Sequence, residues 1–197
     1  NRPSLPRTTT PLHLGRLVLG ALLFAAAALV PACDGDIDTT CTVGGVPGLL
    51  LVEAKAHAQE LRKEKSGRVL EADASEDRIA SHGTIGAAIA EAATGLALAT
   101  GAPCHLSRDT HYQMANRFAW AWKLTELGVP VVLMYLGFLN ADEMRDKSAP
   151  LSSHADWQQQ VKAHSAPLFG VDPWETAWAC KGQSLVPLIR STEQPLG

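Results

Sequence analysis

Four consecutive apolar residues, Leu49-Leu50-Leu51-Val52, run directly into Glu53-Ala54-Lys55, and this junction constrains the fold more than any other stretch. A strand places residues two apart on one face. Glu53 and Lys55 then share a face, while Leu50, Val52 and Ala54 turn the other way, into a core. Upstream, Asp36-Ile37-Asp38-Thr39-Thr40-Cys41-Thr42-Val43 alternates polar with less polar residues, the pattern of a half-buried strand. Gly44-Gly45-Val46-Pro47 between the two reads as a hairpin loop. A four-residue loop predicts that Val43 pairs with Gly48 and that Asp38 stands opposite Glu53. Two carboxylates and an ammonium would then converge on one patch of one hairpin.

These residue types suit a divalent-metal site. Mg²⁺ is a hard cation, held by one or two carboxylates together with waters and phosphate oxygens. It shields a phosphodiester and lowers the pKa of bound water. A neighbouring lysine could orient or deprotonate that water, or steady charge developing on phosphorus. An aspartate on one strand and Glu-x-Lys on the next resembles the PD-(D/E)xK nuclease superfamily. The resemblance implies an α/β chain with a restriction-endonuclease-like three-layer core, a small central mixed sheet flanked by helices. It implies that Asp38, Glu53 and Lys55 are catalytic, with Asp38 and Glu53 holding Mg²⁺ or Mn²⁺. Asp36 shares a face with Asp38 and is a reserve ligand. The plainer reading is a solvated strand end, since bare E-x-K triplets are common on exposed helices.

Asp34-Gly35-Asp36-Ile37-Asp38 also opens like an EF-hand loop. That loop needs glycine at its sixth position and glutamate at its twelfth. Thr39 and Gly45 stand there, so calcium is excluded on this pattern.

The chain of 197 residues is long enough for one domain with a sizeable core, and it is read as a single domain over 1–197. Starting at Asn1, it is read as a sequence that can lack an N-terminal piece. A net charge of −3 argues against strong non-specific nucleic-acid binding but leaves room for a local basic cluster. Arg62, Lys63, Lys65 and Arg68 are the one dense basic run, read first as a solvated face and second as phosphate contacts. Cys33, Cys41, Cys104 and Cys180 lack C-x-x-C spacing, so they read as free thiols rather than zinc ligands or a redox pair.

The N-terminal stretch carries a rival signal. Leu17 to Val30 is an apolar run preceded by Arg7 and Arg16, and Val30-Pro31-Ala32-Cys33 loosely resembles a lipoprotein cleavage box. Thr10-Pro11 is nevertheless a good cap and first turn for an ordinary helix. Residues 11–30 are therefore expected to form a core helix, with export or a lipid on Cys33 as the alternative. Cytoplasmic location without stable membrane association follows from the first reading.

Downstream, Ser75 caps a helix from Glu76 that ends at Gly101 and Pro103. Ser107 is expected to cap a second helix, through Trp120 and Trp122, that ends at Gly128. Val129 to Phe138 reads as a central strand. Trp157 to His164 reads as a helix, and Leu185 to Ile189 as a short strand with an edge proline. In the second helix Gln113, Asn116 and Arg117 fall at i, i+3 and i+4 and share a face. The resemblance extends to these positions, because several of its exonucleases carry a glutamine in the helix after the E-x-K strand. It implies that Gln113 and Arg117 contact substrate or brace the carboxylates. Asn116 shares their face and His57 that of Glu53 and Lys55 if the strand continues, so both are further candidate substrate contacts; the plainer readings are a polar helix face and a surface histidine. Two departures stand out: Leu14 to Leu29 contains no acid, which leaves a second metal ligand unaccounted for, and Ile37 rather than proline precedes Asp38.

The sequence thus points to a metal-dependent nuclease acting on nucleic acid, DNA in preference to RNA, with a homodimer in keeping with its relatives. A non-cleaving member of the same fold that binds nucleic acid or a protein partner, an exported lipoprotein and a small-molecule phosphodiesterase are the alternatives.

Overall fold

A computed structural model describes residues 37–141 and 149–193. Asp36, Cys33 and the apolar run 17–30 lie outside the described residues. The chain forms a mixed five-strand sheet flanked by helices.

Strands β1 (Ile37–Val43) and β2 (Val46–Lys55) form the expected hairpin, but with a different register. Gly44 and Gly45 both take positive φ, 58° and 84°, so the chain reverses in two residues rather than four. Val43 pairs with Val46, and Asp38 stands opposite Leu51 rather than Glu53. The shift places Asp38 two residues away from the position expected for it.

Three helices then lead to β3 (Val131–Leu139), which lies parallel to β2. They are α1 (Ala58–Lys63), α2 (Glu76–Thr100) and α3 (Tyr112–Glu126). The sheet is completed by α4 (His154–Ser165), β4 (Trp178–Cys180) and β5 (Gln183–Glu193), in the order β1-β2-β3-β5-β4. β5 runs parallel to β3, and β4 antiparallel to β5.

Local chemistry sets most of these boundaries. Ser75 Oγ accepts from Arg78 N at 3.4 Å, and Gly101 at φ 68° closes α2, as its sequence indicates. Ile85, Ile89, Ala92 and Leu96 form its buried stripe. By contrast, α3 starts at Tyr112, not after Ser107. The Ser107 hydroxyl accepts from Asp109 N at 3.0 Å and makes a local turn instead of a helix cap. His111, at φ 50°, is the residue that enters α3. The final strand is longer than expected and interior to the sheet. Pro187 is tolerated there because its carbonyl turns from β3 to accept from Glu175 N at 2.9 Å, the side on which its missing N–H would also have pointed.

The register Glu53–Tyr135–Ile189 defines the deeply buried face of the sheet. Val131, Leu133 and Leu185 share that face, beneath α3 and α4. Phe118 of α3 packs against Phe169, Trp174 and Trp178, and Trp174 meets Tyr135 edge-on. Trp157 of α4 lies across Gly137 and donates from Nε1 to Tyr135 O at 3.2 Å. On the opposite face Leu50, Ala54, Val132, Met134, Leu136, Val186 and Leu188 are half-buried, and of the alternating positions on β2 Gly48 and Val52 are fully so. The deeper core is therefore on the Glu53 and Lys55 side, the reverse of the expectation for β2. A polar pair inside that core has to be internally compensated.

Candidate active site

Lys55 is the last residue of β2, at the carboxyl end of the parallel β2–β3 pair. Open α/β sheets bind ligands beyond this end of their strands. Both site residues are buried, Glu53 at 5 % exposure and Lys55 at 8 %. Lys55 Nζ donates to Glu53 Oε1. The other carboxylate oxygen, Oε2, accepts from Arg117 Nε at 2.7 Å.

Two helices complete the site. On α3, Gln113 and Arg117 are one turn apart and reach the same strand. Gln113 Oε1 lies 3.5 Å from Lys55 Nζ. The short helix α1 folds back after His57, whose backbone N–H donates to Glu60 Oε1 at 3.2 Å. Leu61 is the buried anchor of α1, and Glu64 lies three residues on, on the same face. That places Glu64 Oε1 2.8 Å from Lys55 Nζ. The second oxygen of Glu64 is 3.5 Å from His164 Nε2 at the end of α4. The result is an alternating chain of charges, Glu64, Lys55, Glu53 and Arg117, drawn from α1, β2 and α3.

Electrostatics fix the protonation of its centre. Burial pushes the Glu53 carboxyl up, but the charges and hydrogen bonds of Lys55 and Arg117 outweigh it and hold the group below its ordinary value. Burial pushes the Lys55 ammonium down, yet Glu64 and then Glu53 overcome this and raise it. Lys55 is therefore a permanent cation at neutral pH. Of the roles expected for it, steadying negative charge and orienting water fit this state; deprotonating water does not.

The structure brings together Glu53, Lys55, Gln113 and Arg117, as the sequence patterns suggest. Asp38 joins them only through its strand, opposite Leu51. Asn116 is buried on α3, and its Oδ1 has no hydrogen-bond partner among the described residues. His57 does not prolong the Glu53–Lys55 face, because β2 ends at Lys55; its ring bonds Glu60 Oε1 at 2.7 Å. The basic run divides: Arg62, Lys63 and Lys65 are exposed, whereas Arg68 is half-buried and donates to the Tyr112 hydroxyl at 3.2 Å.

Sequence patterns single out neither Glu64 nor the His111–His164 pair, whose histidines have no metal-ligand spacing. Glu64 sits within Arg62-Lys63-Glu64-Lys65, where it passes for a solvated charge. The one available signal was its three-residue spacing from Leu61. His111 and His164 carry no local motif, yet their rings meet edge-on with centroids 4.7 Å apart. Burial, then His164 and Lys65, lower the pKa of His111 against the pull of Glu64.

A hard divalent cation takes one or two carboxylates and completes its shell with water and phosphate oxygens. Glu53 supplies one such carboxylate, at the cost of sharing it with Lys55 and Arg117. Among the described residues no group of three or more His, Cys, Asp or Glu side chains is arranged to hold a metal ion, and Asp36 lies outside them. No family model, curated protein or solved structure matches the chain.

Proposed function

We propose that the chain is a metal-dependent nuclease with a restriction-endonuclease-like core, hydrolysing nucleic-acid phosphodiester bonds at Glu53 and Lys55. The observation that carries this reading is the convergence of Lys55, Glu53, Gln113 and Arg117 at the carboxyl end of a central strand. These groups come from two distant segments and match the chemistry that the E-x-K pattern implies. In this reading Glu53, with Asp38 on the neighbouring strand, holds Mg²⁺ or Mn²⁺. The ion, when bound, supplies charge shielding and a more acidic water.

The remaining roles belong to the chain. Lys55, as a fixed ammonium, steadies charge on the phosphoryl oxygens in a site with little competing water. Gln113 is the exposed member of the group and meets the incoming strand. Arg117 holds the Glu53 carboxylate from behind, so that its orientation is set before substrate arrives.

The test is incubation of labelled single- and double-stranded DNA and RNA with the folded chain, with Mg²⁺, Mn²⁺ or a chelator. Cleavage that requires the ion supports the reading and identifies the substrate class.

A second reading has an observation of its own. Both oxygens of Glu53 are engaged by cations of the chain, and two carboxylates balance two cations. A site neutralised in this way also suits a non-cleaving nucleic-acid-binding protein of the same fold. Binding without cleavage on every substrate would select it.

A further inference from the structure

Glu64 is the charged group at this site for which the nuclease reading has no use. Its side chain is 2 % exposed and lies at the C-terminal end of α1, where helix carbonyls already concentrate negative partial charge. A carboxylate buried there is unfavourable by itself, and its compensation comes from Lys55 at 2.8 Å. Lys55 accordingly contacts two carboxylates where one would neutralise it. This redundancy has a consequence if one of the two must turn to another cation.

We propose that Glu64 is a positioning residue that keeps Lys55 buried and paired when Glu53 gives its Lys55-facing oxygen to a divalent cation. The inference rests on the metal-dependent reading above. A buried ammonium stripped of its carboxylate is strongly disfavoured, so ion binding at Glu53 would otherwise have to expel Lys55 or be opposed by it. With Glu64 in place the exchange leaves every charge partnered. Arg117 stays on Glu53 Oε2, and Lys55 stays on Glu64 Oε1. The other Glu64 oxygen lies 3.5 Å from His164 Nε2 and makes no hydrogen bond among the described residues, so Lys55 is the closest charged partner of Glu64.

The test is a double-mutant cycle on Mn²⁺ affinity, read from the electron paramagnetic resonance signal of free Mn²⁺, with no substrate and no turnover. In the presence of Lys55, Glu64→Gln is expected to weaken Mn²⁺ binding at least about tenfold, or one such factor per 1.4 kcal/mol. In the Lys55→Met background the same substitution should change affinity by less than about threefold, because no ammonium is left to strand. Equal losses in both backgrounds would overturn the proposal and make Glu64 act on the ion directly. Unchanged affinity in Glu64→Gln alone would also overturn it. Absence of Mn²⁺ binding in both the folded wild type and folded Lys55→Met would instead remove the metal-dependent reading beneath it, and the proposal with it.

Lys55→Met leaves Glu53 and Glu64 facing one another, so a second measurement does not depend on its folding. Reductive methylation followed by mass spectrometry reports the exposure of Lys55. In the wild type Lys55 should stay protected with or without Mn²⁺. In Glu64→Gln, saturating Mn²⁺ should raise its labelling severalfold, and labelling that ignores Mn²⁺ in that variant would contradict the proposal.

Discussion

Arg117 Nε donates to Glu53 Oε2 at 2.7 Å, tying the middle of α3 to the carboxyl end of β2 across 64 positions of sequence. The bond clamps the long crossover that carries the chain from β2 to β3 and fixes one oxygen of the site carboxylate. Removing it leaves a buried carboxylate with one cation fewer, and breaking a buried pair in this way is strongly destabilising. Arg117→Ala should lower the free energy of unfolding by roughly 3 kcal/mol. Urea denaturation followed by tryptophan fluorescence measures this directly; a loss below about 1 kcal/mol would reduce the contact to the level of a surface ion pair.

The same pair sets a pH dependence. Glu53 has a lower pKa folded than unfolded, so its contribution to stability is present above the unfolded value, about 4.3, and is lost as pH falls through the folded value. Lys55 is shifted the other way: its contribution is present below the unfolded value, about 10.4, and is lost as pH rises through the folded one. Stability should therefore be level through neutral pH with respect to these groups and fall on the acid side. Urea midpoints between pH 2 and 7 should show a shallower acid limb in Glu53→Gln than in the wild type. Identical limbs would mean that Glu53 is not held by its two cations.

Packing makes an independent prediction at Gly95 on α2. A helical glycine replaced by alanine ordinarily gains up to about 1 kcal/mol. Here a Cβ would run into the indole of Trp122, whose ring lies directly over the α2 backbone. The sign should reverse, and Gly95→Ala should destabilise by about 1–3 kcal/mol. Thermal melts of the two proteins decide it, and a rise in Tm would show that α2 and α3 are less closely packed than described.

What was legible in the sequence follows from how local each signal is. Ser75 and Gly101 bound α2 through interactions within a turn or two, and the run Val129 to Phe138 identifies a buried strand by composition alone, although β3 itself begins at Val131. The hairpin at Gly44-Gly45 was visible, but its register was not. Two adjacent glycines both accept positive φ, and the two-residue turn they permit competes with the longer loop that Pro47 suggests. Asp38 moved by two residues as a result. The start of α3 was misplaced for a similar reason, since a serine hydroxyl serves a local turn as readily as a helix cap.

The site divides along the same line. Glu53 and Lys55 declare themselves by strand alternation, and Gln113 and Arg117 by helical spacing, so each pair was readable on its own element. Glu64 was not, because its burial depends on a short helix folding back after His57 and on Leu61 anchoring it. Nor was the approach of His111, the residue that enters α3, to His164 at the end of α4, a meeting that is a property of the tertiary packing.

The measurement that bears most directly on the central claim is metal-dependent cleavage of nucleic acid by the wild type beside Lys55→Ala and Glu53→Ala, each first shown to be folded. If Glu53 and Lys55 form a reaction centre, the wild type cuts at least one of the four substrate classes in Mg²⁺ or Mn²⁺. Both variants should then lose at least about a hundredfold in rate, the scale of removing one preorganised charge from such a site. Wild-type cleavage that survives in either folded variant would contradict the account and leave the buried Glu53–Lys55 pair as a structural salt bridge.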